Sequence, residues 1–225
     1  MHQMQKILLK RLLIQNNQRY STLTQGYDFE DNVVWHLKQL MGRGLIKKIK
    51  NYYQITAVGV KQVTGFDLSK LKDTGFKTFF IGFLCQYRDE FLIKEHPGGE
   101  INFYNLPSGK PRFGEPIEEA LIRTFEINTR IKLKSDNFEY LSLHLKTVKT
   151  SKDEVLFDDA FAAYEVKISP EEKGKMKLHS QVHWMSINEI EALPHRWPEI
   201  DICILNQDRS PYLVYDVESD YGLDL

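Results

Sequence analysis

The chain has 225 residues, of which 42% are hydrophobic and 27% charged, and its formal net charge at pH 7 is −1. This composition is typical of soluble globular proteins and excludes disordered and fibrous chains. No apolar run approaches the roughly 20 residues that a membrane-spanning helix needs, and residues 1–6 lack the charged and then apolar layout of a secretory signal. We therefore expect a cytoplasmic protein with no membrane partner.

The near-zero net charge conceals a division along the chain. Residues 1–66 contain seven lysines and three arginines against three acids, a balance of +7, so the rest of the chain carries −8. Such an asymmetry indicates two parts with different roles. We predict a first domain over residues 1–66, a linker over 67–76, a second domain over 77–205 and a C-terminal extension over 206–225.

The first domain is predicted to be mostly helical. Apolar residues at helical spacing predict a helix over residues 3–15, and a second stripe predicts a helix that begins at an N-cap, Asp28, and ends at Gly42. The residues of this second stripe are Val33, Val34, Leu37, Leu40 and Met41. Residues 45–55 predict two short strands around a basic turn, and a last helix is expected to begin near Ala57.

The segment from His36 to Gly59, which reads HLKQLMGRGLIKK and then YYQIT, resembles a winged helix-turn-helix domain. The resemblance implies DNA binding, with the second helix of the motif in the major groove and the hairpin wing on the phosphate backbone. The positive charge of the first 66 residues agrees with phosphate contact. The candidate DNA-binding residues are Lys38, Gln39, Arg43, Lys47, Lys48 and Lys50.

The exposed face of the same predicted helix favours a second interpretation. Asp28 and Asp31 lie at the helix end that would approach phosphates, and Trp35 is expected on the solvent side. The first domain is therefore also a candidate for homodimerisation or another protein contact. The residues alone leave both alternatives open.

A different pattern begins near Lys77. Residues 79–87 predict a buried strand and residues 91–94 its hairpin partner. The run LPSGKPRFGEPIEEALIRTFEINTRI then spans residues 106–131, with Gly109, Glu115 and Arg123 at characteristic spacing.

This run resembles the Nudix box, in which a glycine, a glutamate and an arginine occupy the positions of Gly109, Glu115 and Arg123. Downstream, VLFDDAFAAYEV and VHWMSINEIEALP resemble a later strand and the end of the same domain, so the resemblance covers about residues 77–205. It implies an α+β protein, in which a winged helix precedes a Nudix-type α/β/α sandwich with a mixed sheet.

The box departs from the family at the three glutamates that bind magnesium or manganese ions. Thr124, Ile127 and Asn128 stand at those positions, whereas hard divalent cations require clustered anionic oxygens. Glu126 points away from the helix face that Thr124 and Asn128 share. Glu119 lies four residues before Arg123 and is expected to pair with that arginine.

Three acids elsewhere are the remaining candidate metal ligands: Glu115, Asp158 and Asp159. If they rebuild the site, the protein is a pyrophosphohydrolase of nucleoside diphosphate derivatives, with magnesium or manganese as its cofactor. If they do not, no cofactor is expected. Gly109, Glu115 and Arg123 are then a structural remnant of the box without catalytic residues.

The favoured hypothesis is a regulatory sensor that binds a nucleotide without hydrolysing it. The ligand would be a nucleotide diphosphate derivative of the ADP-ribose or sugar nucleotide class, held by Lys110, Arg112 and Tyr104. The protein would regulate transcription as a homodimer whose winged helices respond to the ligand. A third hypothesis is an interaction protein in which both domains are scaffolds. Independently of these hypotheses, residues 212–217 either add a strand or dock on a partner.

Overall fold

The computed structural model describes residues 1–28, 31–63, 77–98 and 101–219. The chain divides into two compact units, Met1–Gly75 and Phe76–Leu225. The predicted linker over 67–76 lies outside the described residues, as does Glu30. Among the described residues no helix combines the length and apolar character that crossing a membrane requires.

The first unit combines helices with a small antiparallel sheet of strand order β1-β3-β2. In chain order its elements are α1 (Gln3–Ile14), β1 (Gln18–Arg19), α2 (Tyr20–Leu23), α3 (Val33–Gly42), β2 (Ile46–Ile49), β3 (Tyr52–Ile55) and α4 (Ala57–Val63). The predicted helices at 3–15 and near Ala57 and the strand pair within 45–55 are confirmed. Their apolar faces form one core that includes Leu8, Leu12, Leu37 and Leu40.

The start of α3 differs from the prediction. Asp28 is not its N-cap, because the helix begins at Val33 after Asn32, whose φ of 55° is left-handed. The carboxylate of Asp31 accepts a hydrogen bond from the Asp28 N–H at 2.8 Å, so these acids close a turn ahead of the helix. Val34 is 52% exposed because it lies about 100° around the helix from Val33.

The second unit is built on a mixed sheet. Its elements are β4 (Thr78–Tyr87), β5 (Glu90–Gly98), β6 (Ile101–Asn105), β7 (Ser108–Gly109), α5 (Ile117–Thr129), β8 (Phe138–Lys149), β9 (Val155–Val166), α6 (Pro170–Lys175), β10 (Val182–Ser186), α7 (Ile187–Glu191), α8 (Pro198–Ile200) and β11 (Tyr212–Glu218). A 3₁₀ turn, Ser135–Asn137, precedes β8, and a π-helical turn, Asp201–Leu205, follows α8.

Six of these strands run in the order β10-β5-β4-β9-β8-β11, while β6 pairs with β5 and β7 with β4. The β4–β9 and β8–β11 pairs are parallel and the others antiparallel. The expectation of an α+β protein with a mixed sheet is confirmed. Residues 212–217 were expected either to add a strand or to dock on a partner. The structure shows the added strand, because β11 lies parallel beside β8.

Helices cover both faces of this sheet. Successive side chains of β4 point to opposite faces, and its apolar residues contact helices on each face. Ile81 and Phe83 point towards α5, where the rings of Phe83 and Phe125 lie 5.0 Å apart. Leu84 points the other way, into a core that contains Ile190 of α7 and Ile200 of α8. Cys85 and Cys203 are buried free thiols.

Candidate functional site

The loop before α5 is fastened to the helix by one ion pair. Arg123 Nε donates to Glu115 Oε1 and Arg123 Nη2 to Glu115 Oε2, both at 2.7 Å, and Oε2 also accepts the Arg112 N–H at 2.7 Å. The hydrogen bonds from Arg123, followed by that from the Arg112 N–H, lower the pKa of Glu115 to about 2. The predicted pairing of Arg123 with Glu119 is wrong, because Glu115 precedes the helix and offers both carboxylate oxygens.

The three positions where the family has metal-binding glutamates do not fit a magnesium or manganese ion. Thr124 and Asn128 are 3% and 1% exposed, and Asn128 Nδ2 donates to the Thr124 carbonyl oxygen at 2.7 Å. Ile127 is apolar and points to solvent. A divalent cation of this kind is bound by carboxylates and other oxygens, whereas these side chains are neutral and two of them are packed beneath the loop.

The other candidate ligands do not restore an acidic cluster. Asp158 forms an ion pair with Lys77, Asp159 is its neighbour on β9 and therefore faces the opposite side, and Glu115 is held by Arg123. Across the four described ranges of the chain, no three His, Cys, Asp or Glu side chains form a group that could hold a metal ion.

A cavity of about 180 Å³ lies on the α8 side of the sheet. Its walls combine aromatic rings with a few polar groups, a combination typical of small-molecule sites. The lining residues are Phe80, His96, Asn105, Ser108, Lys146, Phe157, Asp159, Phe161 and Trp197. The volume is below the ~300 Å³ at which sites for drug-sized ligands begin, so the cavity suits a single ring system.

Strand β7 connects this cavity to the loop of the box. Ser108 lines the cavity, whereas Gly109 faces α5, where a Cβ atom would lie 2.8 Å from Thr124 Oγ1. Only a residue without a side chain allows β7 to approach the helix so closely. Gly109 therefore has a packing role.

Lys146, which lines the cavity, belongs to a buried ion pair. Lys146 Nζ lies 2.8 Å from Glu199 Oε1, and the two side chains are 5% and 0% exposed. The same ammonium group lies 4.2 Å from the ring centroid of Trp197. Because buried charges require compensation, the pair fixes Lys146 and Trp197 at the cavity wall.

Asp159 lies directly opposite Lys146 in the β8–β9 register but does not pair with it. Within the described residues its carboxylate has neither a hydrogen-bond nor an ion-pair partner. Burial raises the pKa of Asp159, and the positive charge of Lys146 opposes the shift. Burial likewise lowers the pKa of His96, with a further contribution from Lys94.

The structure separates the three predicted ligand-binding residues. Lys110 Nζ lies 4.9 Å from the ring of Phe80, at the edge of the cavity, whereas Arg112 is exposed on the loop. Tyr104 does not line the cavity and packs against the core near α7, while its neighbour Asn105 lines the cavity. Ligand binding by Tyr104 stays a prediction.

Sequence reasoning missed Lys146 and Glu199. Ser142, His144 and Lys146 alternate with leucines along β8, a pattern that normally indicates a solvent-facing side. Here all three are buried, and His144 Nε2 lies 2.7 Å from Ser142 Oγ. One signal could have identified Lys146: it is a charged residue on a strand whose neighbouring residues are apolar. Its partner Glu199 gives no such signal, because it is remote in sequence.

In the first unit, the candidate DNA-binding residues are all exposed. Lys47 and Lys48 lie on β2 and Lys50 in the turn that leads to β3. Lys38, Gln39 and Arg43 lie on α3 or at its end. Lys48 also borders a shallow cleft with Arg19 of β1, so the exposed positive charge of the β2–β3 strand pair extends to β1.

Comparisons with known proteins give only structural neighbours. No protein-family model matches the sequence, and no curated protein matches it. The chain is similar to a MutT protein from Bacillus halodurans, at 19% identity over 66% of this chain and 95% of that one, with a TM-score of 0.49. It is also similar to the Nudix domain of Shewanella oneidensis NrtR complexed with ADP-ribose, at 14% identity over 69% and 99% of the two chains, with a TM-score of 0.47.

Proposed function

We propose that the second unit is a Nudix-like sensor domain that binds a nucleotide diphosphate derivative of the ADP-ribose or sugar nucleotide class without hydrolysing it. We further propose that the first unit is a winged helix, which binds DNA or forms a homodimer in response to the ligand. Together the two units make a cytoplasmic regulator of transcription.

The observation that carries the proposal is the pairing of an aromatic and polar cavity with a box that has neutral, buried side chains at Thr124 and Asn128. Hydrolysis of a pyrophosphate by a metal-activated water requires ions that neutralise the developing charge. The box offers no carboxylate for them on that face of α5. Binding requires only the cavity, with the cationic Lys110 at its edge as a phosphate partner.

The proposed regulatory role of the first unit is supported by its exposed cations. The strand pair β2–β3 presents Lys47, Lys48 and Lys50 to solvent, next to a helix with Lys38 and Gln39 on its exposed side. Trp35, 51% exposed, and Val34 on the same helix support the dimerisation alternative.

A thermal-shift and product assay on the full chain tests the sensor. ADP-ribose and a panel of sugar nucleotides should raise the melting temperature, and chromatography after incubation with magnesium or manganese should recover them intact. Phe157→Ala, which removes a ring from the cavity, should weaken binding by about tenfold, in the range found for base–aromatic stacking. The matched control is Phe113→Ala, which removes an exposed ring outside the cavity.

Two results would contradict the proposal in different ways. Metal-dependent release of a nucleoside monophosphate would show the hydrolase with relocated acids. A melting temperature that no nucleotide changes would exclude the sensor and favour the interaction protein, in which both units serve as scaffolds.

A further inference from the structure

The sheet of the second unit ends in a strand whose outer edge has no partner among the described residues. Strand β11 is the last in the order β10-β5-β4-β9-β8-β11 and pairs with β8. It has seven residues and contains no proline. Native proteins usually blunt, cover or pair such an edge, because its free N–H and C=O groups can pair with another strand. The outer edge of β11 is therefore a candidate interaction surface.

Backbone hydrogen bonds show which residues of β11 face outwards. At one end of the pair, the Pro211 carbonyl oxygen accepts the Leu143 N–H at 3.0 Å. At the other end, the Ser219 N–H donates to the Lys149 carbonyl oxygen at 2.8 Å. Odd-numbered residues therefore direct their backbone groups to β8, and since these groups alternate between the two edges of a strand, the even-numbered residues direct theirs outwards. The outward-facing residues of β11 are Tyr212, Val214, Asp216 and Glu218.

The outward-facing residues divide into an apolar half and an acidic half. Tyr212 and Val214 are 54% and 66% exposed, and Asp216 and Glu218 follow them along the strand. The charge of Asp216 is compensated within its own chain by Lys149, whose Nζ lies 2.9 Å from Asp216 Oδ2. A second copy of β11 in parallel register would place each acid opposite the same acid, and like charges directly opposite each other are destabilising. Antiparallel pairing instead places the acidic half of one strand opposite the apolar half of the other.

We propose that β11 pairs with β11 of a second copy of this chain, antiparallel and about a two-fold axis at Tyr215, so that the two sheets become one. In this register Val214 lies opposite Asp216 of the second copy, and Tyr212 lies opposite Glu218 of the second copy. Every outward-facing residue is then paired, and the two strands exchange about eight hydrogen bonds. The interface is formed by the same surface of both copies, as a two-fold dimer requires.

The neighbouring registers satisfy the edge less well. An axis at Val214 places Glu218 opposite Ser210, outside the strand, so its outward groups lose their partners. An axis at Asp216 places the two Asp216 carboxylates opposite each other. An axis between two residues brings outward-facing residues opposite inward-facing ones, and no hydrogen-bonded pair forms. The axis at Tyr215 alone pairs all four outward-facing residues without opposing two acids.

This inference goes beyond the proposed function, in which the first unit is the surface considered for dimerisation. It requires neither a nucleotide nor DNA. A result that contradicts the sensor therefore leaves the pairing of β11 standing, and a result that contradicts the pairing leaves the sensor standing.

Sedimentation velocity of the full chain over a range of concentrations tests the inference through opposite charges at one position. Val214→Asp places a carboxylate opposite Asp216 of the second copy twice in the symmetric pair, and it should weaken dimerisation at least about tenfold. Val214→Lys places an ammonium group there and should strengthen dimerisation about threefold. This gain should disappear at 1 M salt, where the Debye length is about 3 Å.

A second variant tests the backbone pairing without adding a charge. Val214→Pro removes an outward N–H from each copy and should weaken dimerisation about tenfold or more. The bonds to β8 come from the odd-numbered residues, and proline is tolerated on an edge strand where its nitrogen faces solvent. Each monomer should therefore stay folded, which circular dichroism and thermal melting at low concentration check. Ile127→Asp is the matched control, because it adds a carboxylate at an exposed apolar residue of α5 and should leave dimerisation unchanged.

Three results would overturn the inference. A chain that stays monomeric at every concentration would leave the edge to a partner of another sequence. Equal weakening by Val214→Asp and Val214→Lys would exclude the register about Tyr215. A dimer that Trp35→Ala dissociates, and that Val214→Asp and Val214→Pro leave unchanged, would place the interface in the first unit.

Discussion

At the scale of single residues, the Glu115–Arg123 pair gives two residues of the 106–131 run a structural role, because it holds the loop before α5 against that helix. Arg123 also donates to the Lys110 carbonyl oxygen at 3.1 Å, so one guanidinium group holds both ends of the loop from Lys110 to Glu115. This loop carries Lys110 to the edge of the cavity. The pair therefore fixes the loop that places Lys110 beside the ring of Phe80.

The lowered pKa of Glu115 predicts a pH dependence of stability. Its pKa falls from 4.5 to about 2 in the folded protein, so the ionised carboxylate stabilises the folded state fully above pH 4.5. That contribution is lost as the pH falls towards 2. Glu115→Gln should have a lower urea midpoint than the parent at neutral pH, and the difference should shrink below pH 4.5.

Glu119→Gln is the control for this prediction, because Glu119 is exposed and lies only four residues before Arg123 on α5. Its urea midpoint should follow that of the parent at every pH. A pH-dependent loss in Glu119→Gln, with none in Glu115→Gln, would restore the pairing expected from helical spacing alone.

The residues that the sequence could identify are those within one continuous motif. Gly109, Glu115 and Arg123 are spaced along a loop and the helix that follows, so their roles depend on local geometry. Asp159 was noticed only as a possible metal ligand, because no sequence rule indicates which side of β9 faces a cavity. Glu199 could not be found, since its significance depends on a strand more than fifty residues earlier in the chain.

At the scale of elements, the Lys146–Glu199 pair joins β8 to the short helix α8. A three-residue helix has little stability of its own, so the ion pair and the neighbouring apolar core hold α8 and Trp197 in place. Sequence patterns predicted the strands and helices with strong periodicity. They could not predict that β11 joins β8, because an alternating edge strand is also compatible with docking on another protein.

Breaking this buried pair should be strongly destabilising. Glu199→Leu leaves the buried Lys146 ammonium without its ion-pair partner, and we expect the free energy of unfolding to fall by about 3–5 kcal/mol. The double variant with Lys146→Met replaces the pair by apolar groups and should recover most of that loss. Urea denaturation of the two single variants and the double variant gives the coupling; additive losses would show that the pair does not act as a unit.

At the scale of the whole molecule, the division of charge found in the sequence coincides with two compact units that have separate apolar cores. The positive unit presents its lysines on a strand pair, while the negative unit contains the cavity. An acidic surface does not attract nucleic acid. DNA contact, where it occurs, is therefore expected to belong to the first unit alone, and its dependence on salt should report how many of those lysines meet phosphates.

Titration of the full chain with duplex DNA at several salt concentrations tests this expectation. Replacing Lys47 and Lys50 by Gln should weaken binding to all sequences alike, because lysines that meet phosphates read no base information. It should also reduce the slope of log affinity against log salt by about 0.9 for each phosphate that is no longer neutralised. Lys152→Gln, which changes an exposed lysine of the second unit, should leave the slope unchanged.

An unchanged slope in the Lys47 and Lys50 variant would place the DNA-binding surface elsewhere. Absence of DNA binding, with a concentration-dependent dimer that Trp35→Ala dissociates, would assign the first unit to homodimerisation, since Trp35 is the exposed ring on α3.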